Sequence, residues 1–370
     1  MARQVYIRPI GFAESPQSEL GEAIRLGGSM VWASRFALIV RENGVVTRRE
    51  RVDVPAMPTA LAGLPDDLAQ EAEAQWANLR KSHPALQCGN RTIRFDQPQV
   101  MAILNRTPDS FSDGGRFDSD LDAAADHAMQ MLEAGAAIID VGGESTRPGA
   151  ASVWEGDEIA RVVPIVDRLA KAGAAISVDT RRAGVMEAAL KVGAHIFNDV
   201  SGLRFDPRSA ELAANAGTPV VLMHAPGDGN DLHAEHGYRD VVLDVFDRLR
   251  ALRDRAVEQG IAPERIWLDP GIGFGMSVAE NLALMNCLAL FHALGHPILL
   301  GASRKRLIGA LAGEVPADQR LGGSLTLALK AAEAGCHVIR VHDAMETVQA
   351  LRVWRGLRDS ALTDFSQIPE

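Results

Sequence analysis

VMAILNRTPDSFSDGG, residues 100–115, runs from an apolar stretch that suits a buried strand straight into short polar side chains and glycines. A turn needs a few such residues, and this stretch has many more. What it means depends on the kind of strand that precedes it. The same apolar pattern returns as AIIDVGG (137–143), AISVDT (175–180), HIFNDVSG (195–202), PVVLMHA (219–225), IWLDPGI (266–272), PILLGAS (297–303) and HVIRVHD (337–343). Between these runs lie amphipathic stretches such as LDAAADHAMQMLEAGA and SLTLALKAAEAG, several closing on Gly as helix C-termini commonly do. Near-continuous apolar strands alternating with helices imply a parallel sheet covered by helices. Eight such units within residues 86–360 fit an α/β chain folded as a (β/α)8 TIM barrel, which typically spans about 250 residues. A doubly wound sheet is the alternative; eight clean units favour closure.

Residues 1–85 read differently, as a small N-terminal α+β extension. RQVYIRPIGF and RFALIVREN-G-VVTRRERVDV predict strands, the latter a hairpin turning at Asn43-Gly44. PDDLAQEAEAQWANLRKSH predicts a helix begun at Pro65-Asp66. LQCGNRTIRFD predicts a second hairpin, turning at Gly89-Asn90, that would cap the lower end of the barrel. Nothing in the extension names a chemistry; packing or an oligomer contact is its expected role.

The 370-residue chain is 47% hydrophobic, enough for a large core, and its net charge of −10 argues against a dedicated nucleic-acid binder. A local Arg or Lys cluster could still hold a small anion. Cys88, Cys287 and Cys336 form an odd, sparse set, read as reduced packing thiols. No signal-peptide core and no run near the ~18 apolar residues of a membrane span point to a cytoplasmic protein.

In a barrel of this class the strand C-terminal ends build the site. Those ends carry Asn105, Asp140 with Glu144, Asp179, Asn198 with Asp199, His224, Asp269, Ser303 with Lys305, and Arg340 with His342. Buried polar groups cost free energy unless paired, so this many at one mouth need a ligand, one another, or both. Asp140 and Asp199 suit a loop-holding role equally well. Asp179, Asn198, Asp269 and Lys305 suit a flat heterocycle with donors and acceptors along its edge. Arg340 and His342, with Thr146 and Arg147 of GGESTRPG, suit an anion such as phosphate.

MAILNRTPDSFSDGG and IIDVGGESTRPGA closely resemble the two signature segments of the dihydropteroate synthase family, and SVDT, FNDVSG, LMH, LDPGIGFG, GASRK and RVHD continue the resemblance in order. That family joins 6-hydroxymethyl-7,8-dihydropterin diphosphate to p-aminobenzoate. The resemblance implies that Asp179, Asn198, Asp269 and Lys305 hold the pterin, with Met223 against its ring. Thr146, Arg147, Arg340 and His342 would bind the diphosphate, and Asn105 would help place Mg²⁺ on it. Phe111, Pro148 and Phe274 would wall the p-aminobenzoate site, bordered by Lys305. The stretch 105–115 would be a substrate-ordering loop, with Asp109 or Asp113 beside the cationic carbon and closure excluding water. A homodimer is common in the family, and the helix carrying Val348, Leu351 and Trp354 could supply a face or simply pack on the barrel.

Two positions depart from the family's pattern. Arg106 stands where a small apolar residue is usual, adding a charge beside the diphosphate. Arg306 follows Lys305 where many relatives carry Ser, and could pair with the p-aminobenzoate carboxylate. The alternatives are a pterin-binding paralogue with altered or no synthase activity and a pterin-dependent corrinoid methyltransferase, which has no need of SRK and RVHD together. GIGFG (271–275) lacks dinucleotide-fingerprint spacing. His233 and His236 lie in an acidic, Gly-rich loop, 224–240, read as a solvated lid and not a metal site.

Overall fold

A computed structural model describes residues 3–14, 21–106, 121–147, 149–227, 229–234 and 237–362. The chain begins with β1 (Arg3–Ala13), β2 (Ile24–Arg25), β3 (Trp32–Glu42) and β4 (Val45–Asp53). β3 is central, with β1 antiparallel on one edge and β4 and the short β2 on the other. The β3–β4 hairpin turns where expected: Asn43 and Gly44 have φ of 50° and 84°, the left-handed pair that a tight hairpin requires. α1 (Met57–Ala62) and α2 (Asp66–Leu79) follow, and Phe36 meets Trp76 edge-on with ring centres 5.1 Å apart. Gln75 of α2 accepts from Ile7 N at 3.0 Å and donates to Val5 O at 2.8 Å, so β1 has no bare edge there.

The second expected hairpin is β5 (Leu86–Cys88) and β6 (Arg91–Ile93). The barrel strands are β7 (Gln99–Asn105), β8 (Ile138–Gly142), β9 (Ile176–Asp179), β10 (Ile196–Asp199), β11 (Val220–Met223), β12 (Ile266–Asp269), β13 (Leu299–Leu300) and β14 (Val338–Val341). All are parallel, in the order β12-β11-β10-β9-β8-β7-β14-β13. A parallel bridge between Leu268 and Ile298 closes the ring. The helices are α3 (Leu121–Ala134), α4 (Glu155–Lys171), α5 (Ala183–Lys191), α6 (Ser209–Ala216), α7 (Val241–Glu258), α8 (Val278–Met285), α9 (Arg306–Leu311), α10 (Leu321–Glu333) and α11 (Ala344–Leu362). α4 shows why such segments are helical: Glu155, Asp157 and Glu158 sit in its first turn and Arg168 and Lys171 in its last, each matching the helix dipole.

The β5–β6 hairpin plugs the lower end, as its sequence suggested. Cys88, Ile93 and Phe95 pack with Met101, Ile138, Ile196, Trp267 and Leu299 at the barrel floor. Phe95 meets Trp267 edge-on at 5.3 Å. With the floor filled, the open end of the barrel is the end where the strands terminate in polar residues.

The N-terminal sheet docks on the barrel flank, and its apolar core runs continuously into the barrel core. Tyr6 donates to Asp247 of α7 at 2.7 Å and stacks edge-on with Phe246, while Arg41 pairs with Asp244 at 2.6 Å. Behind this seam His83, His292 and His337 cluster with ring centres 4.9 and 5.3 Å from His337, and His337 Nε2 lies 2.9 Å from Gly27 O. Burial pushes His292 down to about 4 and His337 to about 3. Val348 and Leu351 of α11 are buried, so helix-to-barrel packing accounts for them. The three cysteines are free, with Cys88 and Cys336 buried.

Candidate active site

Strand register builds the mouth. Asn105 of β7 sits beside Gly142 of β8, Gly142 beside Asp179 of β9, and Asp179 beside Asn198 of β10. Four consecutive strands therefore reach one level together. Gly142 keeps that level open: a Cβ there would lie 3.5 Å from Asn105 Oδ1 and 3.6 Å from Asp179 Cβ. On the opposite wall Met223 pairs with Asp269. Gly301, just past β13, faces both Asp269 and Arg340, with a Cβ there 3.8 Å from Asp269 Oδ2 and 3.9 Å from Arg340 Cβ. Asp269 and Arg340 thus both border Gly301 at the barrel mouth.

Arg340 is not a free anchor at the rim. Its Nε donates to Asp140 at 2.6 Å and its Nη2 to Asp179 at 2.6 Å. Arg340, expected in the anion clasp, thus also contacts the carboxylates beside the heterocycle clasp. Asp140 is fully buried and also accepts from Asn198 Nδ2 at 3.2 Å, fixing that amide for a ligand. Burial drives the Asp179 carboxyl up to about 7, opposed by Arg340 and reinforced by Asp140. Burial likewise raises Asp269 to about 6, against the Gly271 N–H at 2.7 Å and Lys305. Asp199 is committed elsewhere: it accepts from Ser201 N, Ser201 Oγ and Leu203 N, holding the turn after β10.

Lys305 reaches the cavity because the GIGFG stretch is lean. Its Nζ donates to Ile272 O at 2.5 Å and lies 4.1 Å from the centre of the Phe274 ring. A Cβ on Gly273 would come within 2.7 Å of Lys305 Cδ, and one on Gly271, at φ 75°, within 1.8 Å of His224 O. Burial lowers Lys305 to about 8, with Asp269 opposing the shift. Met223 and Phe274 pack with Val200, Ala225 and Leu232 into an apolar wall beside these polar groups.

At the rim, His342 Nδ1 lies 3.1 Å from Ser303 Oγ. Burial and the nearby Arg340, Arg304 and Arg147 push His342 down to about 3, which favours the neutral ring. In the stretch expected to be a lid, His233 stacks on Phe274 at 5.0 Å and its Nε2 lies 2.9 Å from Thr146 O, while His236 lies outside the described residues. Arg306 opens α9, is exposed and pairs with Glu314 at 2.5 Å. Asp109, Phe111, Asp113 and Pro148 lie outside the described residues. Arg106 is buried at the end of β7 and its N–H bonds Gly142 O at 2.8 Å.

The sequence reading missed Arg181 and Arg182. Arg182 donates to Glu144 at 2.9 Å, Glu158 at 3.3 Å, Ser152 Oγ at 3.1 Å and Val153 O at 2.6 Å. Arg181 pairs with Glu144 at 3.0 Å and stacks over Phe205 at 4.2 Å. Together they brace both ends of the loop that carries Thr146 and Arg147. Two arginines straight after the β9 aspartate were the available signal.

For a divalent cation, the described residues hold no group of three His, Cys, Asp or Glu side chains able to bind one. Asn105 Oδ1 and Asp179 Oδ2 both lie beside Gly142, 3.5 and 3.8 Å from where a Cβ would stand. One or two protein oxygens, with diphosphate oxygens and water supplying the rest, form a set that Mg²⁺ accepts. The donor set fits.

A family model described as pterin binding enzyme matches residues 101–342, beginning after the N-terminal sheet. The dihydropteroate synthase of Escherichia coli (strain K12) is 47% identical over 263 residues, covering 71% of this chain and 92% of that protein. The solved structure of Xanthomonas albilineans dihydropteroate synthase with 4-aminobenzoic acid is 42% identical at a TM-score of 0.69, covering 78% of this chain and all of that one (100%). The Burkholderia cenocepacia dihydropteroate synthase complexed with 7,8-dihydropteroate is 39% identical at a TM-score of 0.68, covering 75% of this chain and 98% of that one. With a whole-barrel match on one side and a single mouth holding Asp179, Asn198, Asp269, Lys305 and Arg340 on the other, the chain belongs to the pterin binding enzyme family and, within it, to the dihydropteroate synthases.

Proposed function

We propose the following division of labour for the synthase reaction, the joining of 6-hydroxymethyl-7,8-dihydropterin diphosphate to p-aminobenzoate with release of pyrophosphate in folate synthesis. Asp269 and Asn198 take the donor and acceptor edge of the pterin, and Asp179 accepts from it while Arg340 keeps that carboxylate in place. Lys305 donates to the ring, and Met223 lies against its face. Thr146, Arg147 and His342 take the diphosphate. Phe274 and the aliphatic stem of Lys305 border p-aminobenzoate, with Phe111 and Pro148 expected on its other side. The observation that carries this reading is that Asp269 and Arg340 both border Gly301, close enough for one small ligand to touch both.

The chemistry follows from those contacts. The methylene C–O bond breaks, its electron pair leaving on the diphosphate, and positive charge grows on the pterin methylene. Arg147 stabilises the leaving anion, and His342 becomes a better donor as that anion raises its proton affinity. Electron supply from the dihydropterin ring, with Asp109 or Asp113 nearby, stabilises the cation. The aniline nitrogen then forms the C–N bond and loses a proton; being a free base at neutral pH it needs no strong catalytic base. Asn105 would hold Mg²⁺ on the diphosphate, and when bound the ion supplies further charge neutralisation there. His233, seated on Phe274 and Thr146, helps keep water from the cationic carbon.

The working form is a cytoplasmic homodimer. Support comes from the exposed Val353 and Leu357 of α11, apolar surface available to a second copy, and from the finding that no described helix is long and apolar enough to cross a membrane. The purified chain, given both substrates and Mg²⁺, should form 7,8-dihydropteroate and pyrophosphate in equal amounts. Substrate binding without product would leave a pterin-binding paralogue instead.

A further inference from the structure

The N-terminal sheet carries its own cationic cavity. Arg8 of β1 stands opposite Ala37 of β3, and Ala37 stands opposite Arg51 of β4. Arg49 stands opposite Ile39 in the same sheet. Residues directly opposite share a face, and residues two apart along a strand share it too. Arg8, Arg35, Arg49 and Arg51 therefore project from one side, around Ile10 and Ala37, and line a cavity of about 480 Å³. Ala37 makes a low floor between Arg8 and Arg51, so the longer side chains rise around an open space.

The charges there are poorly balanced. Asp53 pairs with Arg35 at 3.1 Å. Glu50 points to the other face of β4 and pairs there with Arg48 at 2.5 Å. Asp240, the nearby acid at the start of α7, accepts from Val242 N and Leu243 N as the helix cap. Arg8 contacts the Cys287 sulfur at 3.2 Å, and among the described residues no carboxylate pairs with Arg8, Arg49 or Arg51. Like charges gathered on one sheet face repel. They do so here in a chain whose net charge is −10, so the cluster is not part of a generally basic surface.

We propose that this cavity is a second anion site, separate from the barrel mouth, that takes a small ligand carrying two or more phosphoryl groups. The guanidinium fork matches phosphoryl oxygens two at a time. Three guanidiniums without carboxylate partners suit more than one phosphoryl group, and the cavity is within the ~300–1,000 Å³ range of small-molecule sites, larger than a lone phosphate fills. Such a ligand could be free pyrophosphate or a nucleotide, and the two share the diphosphate the arginines would read.

Calorimetric titration of the full chain at low ionic strength without Mg²⁺ tests this, using pyrophosphate and ATP in separate arms and citrate as a polycarboxylate control. Pyrophosphate can also enter the barrel mouth, so the number of sites is the readout. Wild-type protein should show one class of sites that Arg49→Ser/Arg51→Ser lacks or binds at least ~10-fold more weakly. Arg48→Ser, on the opposite face, should keep that class. Arg49→Lys/Arg51→Lys, which retains charge but loses the forks, should fall between them and guards against a fold defect in the serine variant. Tighter ATP binding assigns a nucleotide; pyrophosphate binding as tight as ATP or tighter assigns the free diphosphate. The proposal is overturned if the serine variant titrates like wild type with both ligands, or if citrate binds as tightly as either.

Discussion

Arg340 and Asp179 reach each other across the barrel mouth, from β14 and β9, at 2.6 Å. The two strands are separated by β7 and β8, so only a closed, tilted ring brings them together. The contact joins the group expected on the diphosphate side to one expected on the pterin side, and this coupling shapes what each variant should do.

Removing the guanidinium leaves the buried Asp140 and Asp179 facing each other. Breaking one partner of a buried ion pair typically costs about 3–5 kcal/mol. Arg340→Ala should therefore lower unfolding stability by an amount of that order and weaken pterin binding as well as turnover. Adding Asp140→Asn should recover part of the stability but not the turnover. Denaturant titration with kinetics on the same samples checks this; a single variant as stable as wild type would show the ion pair to be idle.

Lys305 should set an alkaline limit. Its ammonium must donate to the ring, and burial holds its pKa near 8. Pterin affinity should fall as pH rises through about 8. Asp269→Asn removes the carboxylate that favours the charged amine, so the fall should begin at lower pH, while Lys305→Met should bind weakly with no alkaline limb. A limb that stays in place in Lys305→Met would assign it to another group.

The buried histidines should make the seam acid-sensitive. A folded pKa of about 4 for His292, against about 6.5 unfolded, means the unfolded chain takes up the proton first as pH falls. His292 therefore contributes stability that is fully present above pH 6.5 and lost as pH falls toward 4. The raised pKa values of Asp179, Asp199 and Asp269 act in the opposite sense, since the folded state binds their protons first on acidification. The test is consequently a difference: wild type minus His292→Gln should change by up to ~1.4 kcal/mol per pH unit between those limits. A difference independent of pH would exclude the linkage.

At the plugged end, Trp267→Ala should destabilise by about 3–5 kcal/mol, as large cavities in packed cores do. Its kcat at a temperature where the variant is folded should stay close to wild type, because Trp267 packs on Phe95 at the floor, away from the polar strand ends. A large loss of kcat in the folded variant would mean the floor and the mouth are coupled.

Much of this was legible in the sequence, for reasons that can be named. Strands buried on both faces are apolar runs, so all eight were visible, and Asn43-Gly44 announced its hairpin through the left-handed backbone it permits. The site residues were visible because they end those strands. What could not be read was pairing across the ring. Arg340 meets Asp140 and Asp179 only through closure, and Arg182 meets Glu144 and Glu158 only when β8 and β9 lie side by side. Nor could the Arg306–Glu314 pair be read, since it forms only across the turn of α9. His83, His292 and His337 are too scattered in the chain to suggest a cluster.

The most direct test is the structure of the full chain crystallised with 6-hydroxymethyl-7,8-dihydropterin diphosphate. One molecule is expected, its ring bonded to Asp269, Asn198 and Lys305 and its diphosphate to Arg147 and His342. A ring held away from Asp269, or a diphosphate directed away from Arg147 and His342, would contradict it.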